Sequence, residues 1–278
     1  MQLHNVYLGW EKLMRGTSLT RRLRSRLLYP MLTGIMRRSL PSPTQFLNYG
    51  YAPLPGDNTF QAPGLLPKDE PDRLSIQLYH QVTHAYVANC DVLEVSCGHG
   101  GGAAYLARYL HPRSVLGMDI NPAAITFCCS HYLDVPNLSF QVGDAEQLPL
   151  HDQSVDVVVN IEASHCYGSM AKFLHEVRRV LRPGGYLLFA DFRPAAQKAA
   201  LEALFGVGGF QICAQCDLTP NIVAALQSDN ERKLGLLTQG PQWLSQSLAE
   251  FSCMEGTDGY RSLANRAELY MGYTLQAG

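Results

Sequence analysis

From residue 73 to residue 192 the chain alternates two kinds of apolar pattern. RLSIQLYHQVTHAYVA carries Leu74, Leu78, Val82, Tyr86 and Val87 near helical spacing, which predicts a helix. VLEVS, SVLGMDI, LSFQVGD, VDVVVNIEA and GGYLLFADF are short apolar runs and predict five strands. Between them GGAAYLARYL, NPAAITFCCSHYL and AKFLHEVRRVL read as helices, the last expected to stop at RPGG, where Pro183 and Gly184 break it. Strand and helix alternating over short links imply right-handed crossovers and a parallel, doubly wound α/β sheet. Upstream, residues 39–72 are rich in proline and glycine (PSP, APLPGD, APG, LPKDEP) and read as a linker or lid, with the aromatic cluster NYGY in the first part. The expected division is a basic helical segment and lid over 1–72 and a catalytic domain over 73–278.

With 278 residues, 46% of them hydrophobic, the chain can bury one large core or one core with an appended lid. No window approaches the roughly 18 consecutive apolar residues of a membrane span, and the first residues lack the order of a secretory signal, so a cytoplasmic protein is expected. Eight cysteines scattered through apolar segments suit small buried hydrophobes better than a disulfide framework. The net charge of -2 hides an asymmetry, because residues 1–38 hold eight Lys/Arg against one acid. There TRRLRSRLLYPMLTGIMRRSL interleaves arginine with leucine, isoleucine and methionine. Three readings stay open: peripheral contact of residues 12–38 with an anionic membrane, an organelle transit segment, or a helix packed by its apolar face on the domain.

Candidate chemistry centres on VLEVSCGHGGG, residues 92–102. A phosphate loop needs GxxxxGK followed by Ser or Thr, and no lysine occurs between Lys68 and Lys172. A dinucleotide fingerprint fails too, since Ser96 and Cys97 precede Gly98 and the run ends on Glu94, whose carboxylate would repel a pyrophosphate. The ligand here should carry a positive group near Glu94 and press against glycine backbone. S-adenosylmethionine meets both demands, having an ammonium and a nucleoside without phosphate. Asp119, ending VLGMDIN, is placed to accept both ribose hydroxyls, and Asp144, in VGDAEQLP, to accept from the adenine amine. Either acid alone could be a helix cap; in series they mark one crevice at the carboxyl ends of successive strands.

VLEVSCGHGGGAAYLA, GMDIN, GDAEQLP, VNIEASHCY and EVRRVLRPGGYLLFADFR together resemble a class I S-adenosylmethionine-dependent methyltransferase. They are most similar to the phthiotriol and phenolphthiotriol dimycocerosate O-methyltransferase family and its fatty-acid and polyketide relatives. FLNYGY, DEPDRLSIQLYH, DLTPNIVAAL and EFSCMEGTDGYRSL extend the likeness over nearly all the chain after residue 28. The resemblance implies a Rossmann-like, mainly parallel seven-stranded sheet with an N-terminal helical lid, and a hydroxyl on a large lipid or polyketide as acceptor. The cofactor-binding set expected from motifs and resemblance is Tyr49, Tyr51, Glu94, Ser96, Cys97, Gly98, His99, Gly100, Asp119, Ile120, Asn121, Asp144, Ala145 and Glu162, without a metal ion. Tyr49 and Tyr51 would form an aromatic lid over the sulfonium.

Methyl transfer to an alcohol needs a base beyond the fourth strand. His165, in NIEASHCYGS, stands there, with Glu162 three residues before it; Asp191, in FADFR, would pair with it and Arg193 would fix a substrate oxygen. His80 and His84, four apart, lack a third metal ligand, and the CxxC of Cys213 and Cys216 lacks a second pair. Two alternatives remain. Methylation of a carboxylate needs no base; a cofactor-binding cyclase or binding module on the same fold would transfer nothing. A nucleic-acid substrate is disfavoured, because the body is acidic and no basic, aromatic track borders the motifs.

Overall fold

The computed structural model describes residues 45–238 and 245–278. The basic segment 1–38, with the three readings it allows, lies outside the described residues. The five expected strands are β1 (Asp91–Val95), β2 (Ser114–Asp119), β3 (Leu138–Val142), β4 (Val155–Ile161) and β5 (Leu181–Pro194). Helices α1 (Arg73–Thr83), α2 (Gly101–Tyr109), α3 (Pro122–His131) and α4 (Met170–Val180) lie among them. There follow α5 (Lys198–Val207), β6 (Phe210–Asp217), α6 (Thr219–Ser228), α7 (Asn230–Thr238), α8 (Ser245–Phe251), α9 (Asp258–Ala264) and β7 (Glu268–Ala277).

The sheet runs β3-β2-β1-β4-β5-β7-β6. β1 to β5 pair in parallel, and β7 pairs antiparallel with both β5 and β6. The apolar runs are continuous because both faces are covered. Val92, Val157, Val159, Leu188 and Ala190 join one buried cluster, whereas Leu93, Val158, Leu187 and Phe189 join another on the opposite face. Strand order reverses between β1 and β4, so the two crossovers part there and leave a crevice at the carboxyl ends.

One expected boundary moves: the first helix ends at Thr83 rather than near Val87, whereas α4 stops at Val180 with Leu181 as its cap, directly before RPGG. Leu181 already pairs with Val155, and the register then shifts before Val157 meets Tyr186. RPGG is therefore an irregularity within the β4–β5 ladder. Its Arg182 binds Asp156 at 2.7 Å and Asp91 at 3.0 Å, fastening the amino ends of β4 and β1.

Residues 45–72 are irregular but fixed to the body. Tyr51 N–H donates to Leu74 O at 2.9 Å, and Asn221 Nδ2 to Ala52 O at 2.9 Å. Leu66 N–H donates to the Tyr109 hydroxyl at 3.0 Å, which itself donates to Asp69. No helix among the described residues is long and apolar enough to cross a membrane.

Candidate active site

β1 and β4 are neighbours, and the residue beyond each ends in left-handed backbone: Ser96 at φ +62° and Glu162 at φ +50°. Neither is glycine, so both positions store strain, a common mark of a working site. The cavity opens here. Its wall takes Ser96, Cys97, Gly98 and His99 from the loop after β1, Asp119, Ile120 and Asn121 after β2, Asp144 to Glu146 after β3, and Ile161 to Ala163 with Cys166 and Tyr167 after β4. Gln45 to Asn48 and Tyr79 close the remaining side.

Acids supply the charged groups of a largely apolar site. Glu94 is 1% exposed, and its Oε1 accepts from the Tyr79 hydroxyl at 2.6 Å while Oε2 has no hydrogen-bond partner. Burial pushes Glu94 up to about 8, against the lowering effect of Tyr79. Glu162 Oε1 accepts from Tyr49 N–H at 2.8 Å and from the Tyr270 hydroxyl at 2.9 Å, and burial likewise raises this carboxyl to about 8. Asp119 accepts from Gly98 N–H and Asn121 N–H, each at 2.9 Å, and so ties the glycine loop to the end of β2. A carboxylate can accept more than these two bonds, so acceptor capacity remains for a ligand. Asn121, not Asp119, caps α3, its side chain accepting from Ala123 N–H.

The glycine loop serves the protein's own rings as much as a ligand. A Cβ at Gly102 would lie 2.1 Å from the Tyr79 ring, and one at Gly100, φ +79°, about 2.8 Å from Tyr132. Gly102→Ala must displace the ring that holds Glu94, so we expect a loss of about 1–3 kcal/mol, read as a lower denaturant midpoint at unchanged slope.

Beyond β4, Asp191 gathers five donors. Oδ1 accepts from His165 Nδ1 at 2.9 Å and Phe192 N–H at 2.9 Å; Oδ2 accepts from Ser164 Oγ at 2.6 Å and His165 N–H at 2.9 Å, with Arg193 Nη1 at 3.1 Å. Burial opposes ionisation of Asp191, but Arg193 and His165 outweigh it and hold the carboxyl well below the usual range. For His165 burial disfavours the cation, yet the adjoining Cys166 and Asp191 carry the imidazole up to about 10. The ring packs 4.5 Å from Phe192, which stacks on Tyr49 at 5.4 Å.

Several expected residues stand elsewhere. Tyr51 is 3% exposed and packs on Phe60 at 5.0 Å in the core, so it is not a lid over the cavity. Tyr49 reaches the site through its backbone N–H and lies against Phe192, off the cavity wall. Gly100 is also off the wall, filled behind by Tyr132 and Phe140, and Glu94 sits behind Tyr79. His165 does not line the cavity; its neighbour Cys166 does. Arg193 donates to Ser164 Oγ at 2.7 Å and to its neighbour's carbonyl, so it braces Asp191 and is not directed at a substrate. His80 bonds the Tyr105 hydroxyl at 2.6 Å and stacks on His84. Among the described residues no cluster of three or more His, Cys, Asp or Glu could hold a metal ion. Sequence reasoning missed Tyr79, Glu146, Tyr167 and Gln45 to Asn48.

A methyltransferase-domain family model matches residues 93–189. The phthiotriol/phenolphthiotriol dimycocerosates methyltransferase of Mycobacterium leprae is 38% identical over 255 residues, covering 90% of each chain. The chain belongs to this methyltransferase family. The fatty-acid O-methyltransferase of Mycolicibacterium smegmatis is 41% identical over 194 residues, 69% of each chain. Among solved structures, a putative sarcosine dimethylglycine methyltransferase from Galdieria sulphuraria superposes with a TM-score of 0.68 at 13% identity, covering 84% of this chain and 93% of that one. The [4+2]-cyclase SpnF gives 0.63 at 18% identity, covering 91% and 94%. Both share the fold of this chain, and at such identities the likeness speaks for fold alone.

The methyltransferase uses S-adenosylmethionine, and its residues fit that cofactor. The described lining holds Asp119, Asp144, Glu146 and Glu162 but no lysine or arginine, and Glu94 Oε2 waits behind it without a donor. A ligand bearing an ammonium and a sulfonium suits such a site. Because Glu94 and Glu162 are held near 8, both are largely protonated at neutral pH, and a bound cation favours their ionised forms. Binding should then release protons, so affinity for S-adenosylmethionine is expected to rise from about pH 6 to about pH 8, by up to tenfold per unit for each carboxyl that must ionise. Calorimetric titration in buffers of different ionisation enthalpy measures both the affinity and the protons released. A flat affinity would mean that neither acid feels the ligand.

Proposed function

We propose that the methyltransferase transfers a methyl group to a hydroxyl of a large lipid or polyketide acceptor, with His165 as general base. The observation that carries this reading is the 2.9 Å bond from His165 Nδ1 to a buried Asp191 that is itself saturated with donors. With Nδ1 bonded to Asp191 and the Cys166 side chain also bonded to the ring, the acceptor's proton would be taken at the imidazole in an orientation fixed by the same carboxylate at the backbone of residue 165. When bound, S-adenosylmethionine supplies an electrophilic methyl group on a cationic sulfur. Glu162 holds the Tyr49 backbone beside Phe192, and these rings form an apolar border next to the imidazole that would exclude water from the hydroxyl. Support for the acceptor class comes from relatives named for phthiotriol and phenolphthiotriol dimycocerosates.

A second reading has its own support in the relative named as a fatty-acid O-methyltransferase. There the acceptor is already a carboxylate and no base is required. The two are separated by the product. With labelled S-adenosylmethionine and either a phthiotriol-type alcohol or a long-chain fatty acid, an ether keeps its label through mild alkali, whereas an ester loses it as methanol. Label released in full from the only methylated product would end the hydroxyl reading. An arginine-mediated contact of residues 12–38 with an anionic cytoplasmic membrane face would bring the enzyme to such acceptors. Each arginine should then add about 1 kcal/mol of salt-sensitive attraction, and equal sedimentation with anionic and neutral vesicles would exclude it.

A further inference from the structure

Two cysteines stand on the cavity wall, in opposite surroundings. Cys97, in the loop after β1, is buried; that burial, a bond to Cys128 and the nearby Glu94 and Asp119 all hold its thiol well above the usual range. Cys166, in the turn after β4, bonds the His165 imidazole through its side chain. The turn Ser164–Cys166 hangs from one carboxylate, since Asp191 accepts from Ser164 Oγ at 2.6 Å and from His165 N–H and Nδ1 at 2.9 Å each. Sulfur, imidazole and carboxylate therefore stand in series. A nucleophile lies within hydrogen-bond reach of a base, and a third group orients that base. An imidazole so held favours the thiolate of the cysteine bonded to it, as the acids around Cys97 do not.

Methyl transfer with His165 as base gives Cys166 no part. We propose that Cys166 is an activated nucleophile on the cavity wall, a modification site for small uncharged electrophiles that carry a displaceable group on carbon. The thiol hydrogen stays with the imidazole, the sulfur electron pair forms the new carbon–sulfur bond, and the displaced group departs with the pair of the bond that breaks. The site requires His165 beside Cys166 but no action of His165 on an acceptor, so failure of the base reading leaves it standing.

Iodoacetamide at pH 7 on the full chain, without cofactor or acceptor, tests it, with the rate at each cysteine read by peptide mass spectrometry. Cys129 and Cys213 are exposed and serve as references. Cys166 should react about tenfold faster than either although it is buried, because an unassisted thiol is only about a few per cent thiolate at this pH. Cys97, on the same wall, should lag behind all three. S-adenosylhomocysteine, which occupies the cofactor site but has no methyl group to transfer, should protect Cys166 and leave the references unchanged. In His165→Gln the rate at Cys166 should fall about tenfold against the same references. If that variant does not fold, the contrast with Cys97 and the protection decide the matter in the wild-type protein. A rate at Cys166 no higher than at the exposed cysteines, unchanged by S-adenosylhomocysteine, or unchanged in folded His165→Gln would overturn the proposal.

Discussion

Replacing His165 with Gln should lower kcat by about two to four powers of ten while leaving the affinity for S-adenosylmethionine unchanged. Gln keeps much of the shape and can still donate toward Asp191, but it cannot take a proton, so the loss isolates basicity at the range usual for general acid-base catalysis. His165 stands off the cavity wall, which is why the cofactor should not notice the change. The pH profile gives a second readout. An imidazole held at about 10 is protonated at neutral pH, and only its small neutral fraction can accept a proton. The wild-type rate should therefore climb toward the alkaline side, close to tenfold per unit, instead of levelling near the ordinary imidazole value of 6.5, and the residual rate of the variant should stay flat. The same raised value has a stability sign: the contribution of the protonated pair is complete below 6.5 and is lost as pH rises toward about 10. Near-normal turnover in the Gln variant would remove the base and favour an acceptor that is already anionic.

Asp119→Ala is expected to be the largest lesion in cofactor binding. Its two oxygens already hold Gly98 N–H and Asn121 N–H, so the carboxylate organises the glycine loop and the start of α3 at once. If the remaining lone pairs accept the ribose hydroxyls, each lost charge-assisted bond costs about 1.5–3 kcal/mol, or about 10- to 150-fold in affinity. Titration calorimetry reads the ribose directly when a 2′-deoxy analogue is compared: wild type should discriminate against it and the variant should not. Discrimination that survives the substitution would place the ribose elsewhere.

What could be read from the sequence was what is local. The five parallel strands are short apolar runs because both faces of each are buried, and their terminal acids, Asp119 above all, are visible one residue at a time. The resemblance implies seven strands but places neither of the last two, and the sequence does not mark Glu268–Ala277 as a strand, since GYT and the polar Gln276 break any clear run. Tyr79 is not legible in the sequence for a different reason. It comes from a helix whose spacing pointed to Leu74 and Leu78, and its value lies in meeting Glu94 across fifteen residues of chain. Tyr51 was misplaced because an aromatic beside a cofactor motif and an aromatic in a core look alike in sequence; only the contact with Phe60 distinguishes them. Tyr167 lies within the stretch that marks the family, but its hydrogen bonds to Ser96 and Asn160 form only after β1 and β4 pair.

The order of strands in the sheet also bears on how the chain is made. β7 lies between β5 and β6 but is synthesised after both, with residues 218–267 coming first. At about 5–20 residues per second, those fifty or so residues take about 3–10 s to emerge. Throughout that interval β5 has an open backbone edge and β6 has no strand to join, although the parallel half of the sheet can already assemble. The nascent chain is thus most exposed to wrong pairing late in its synthesis, and at the edge that β5 presents until β7 arrives.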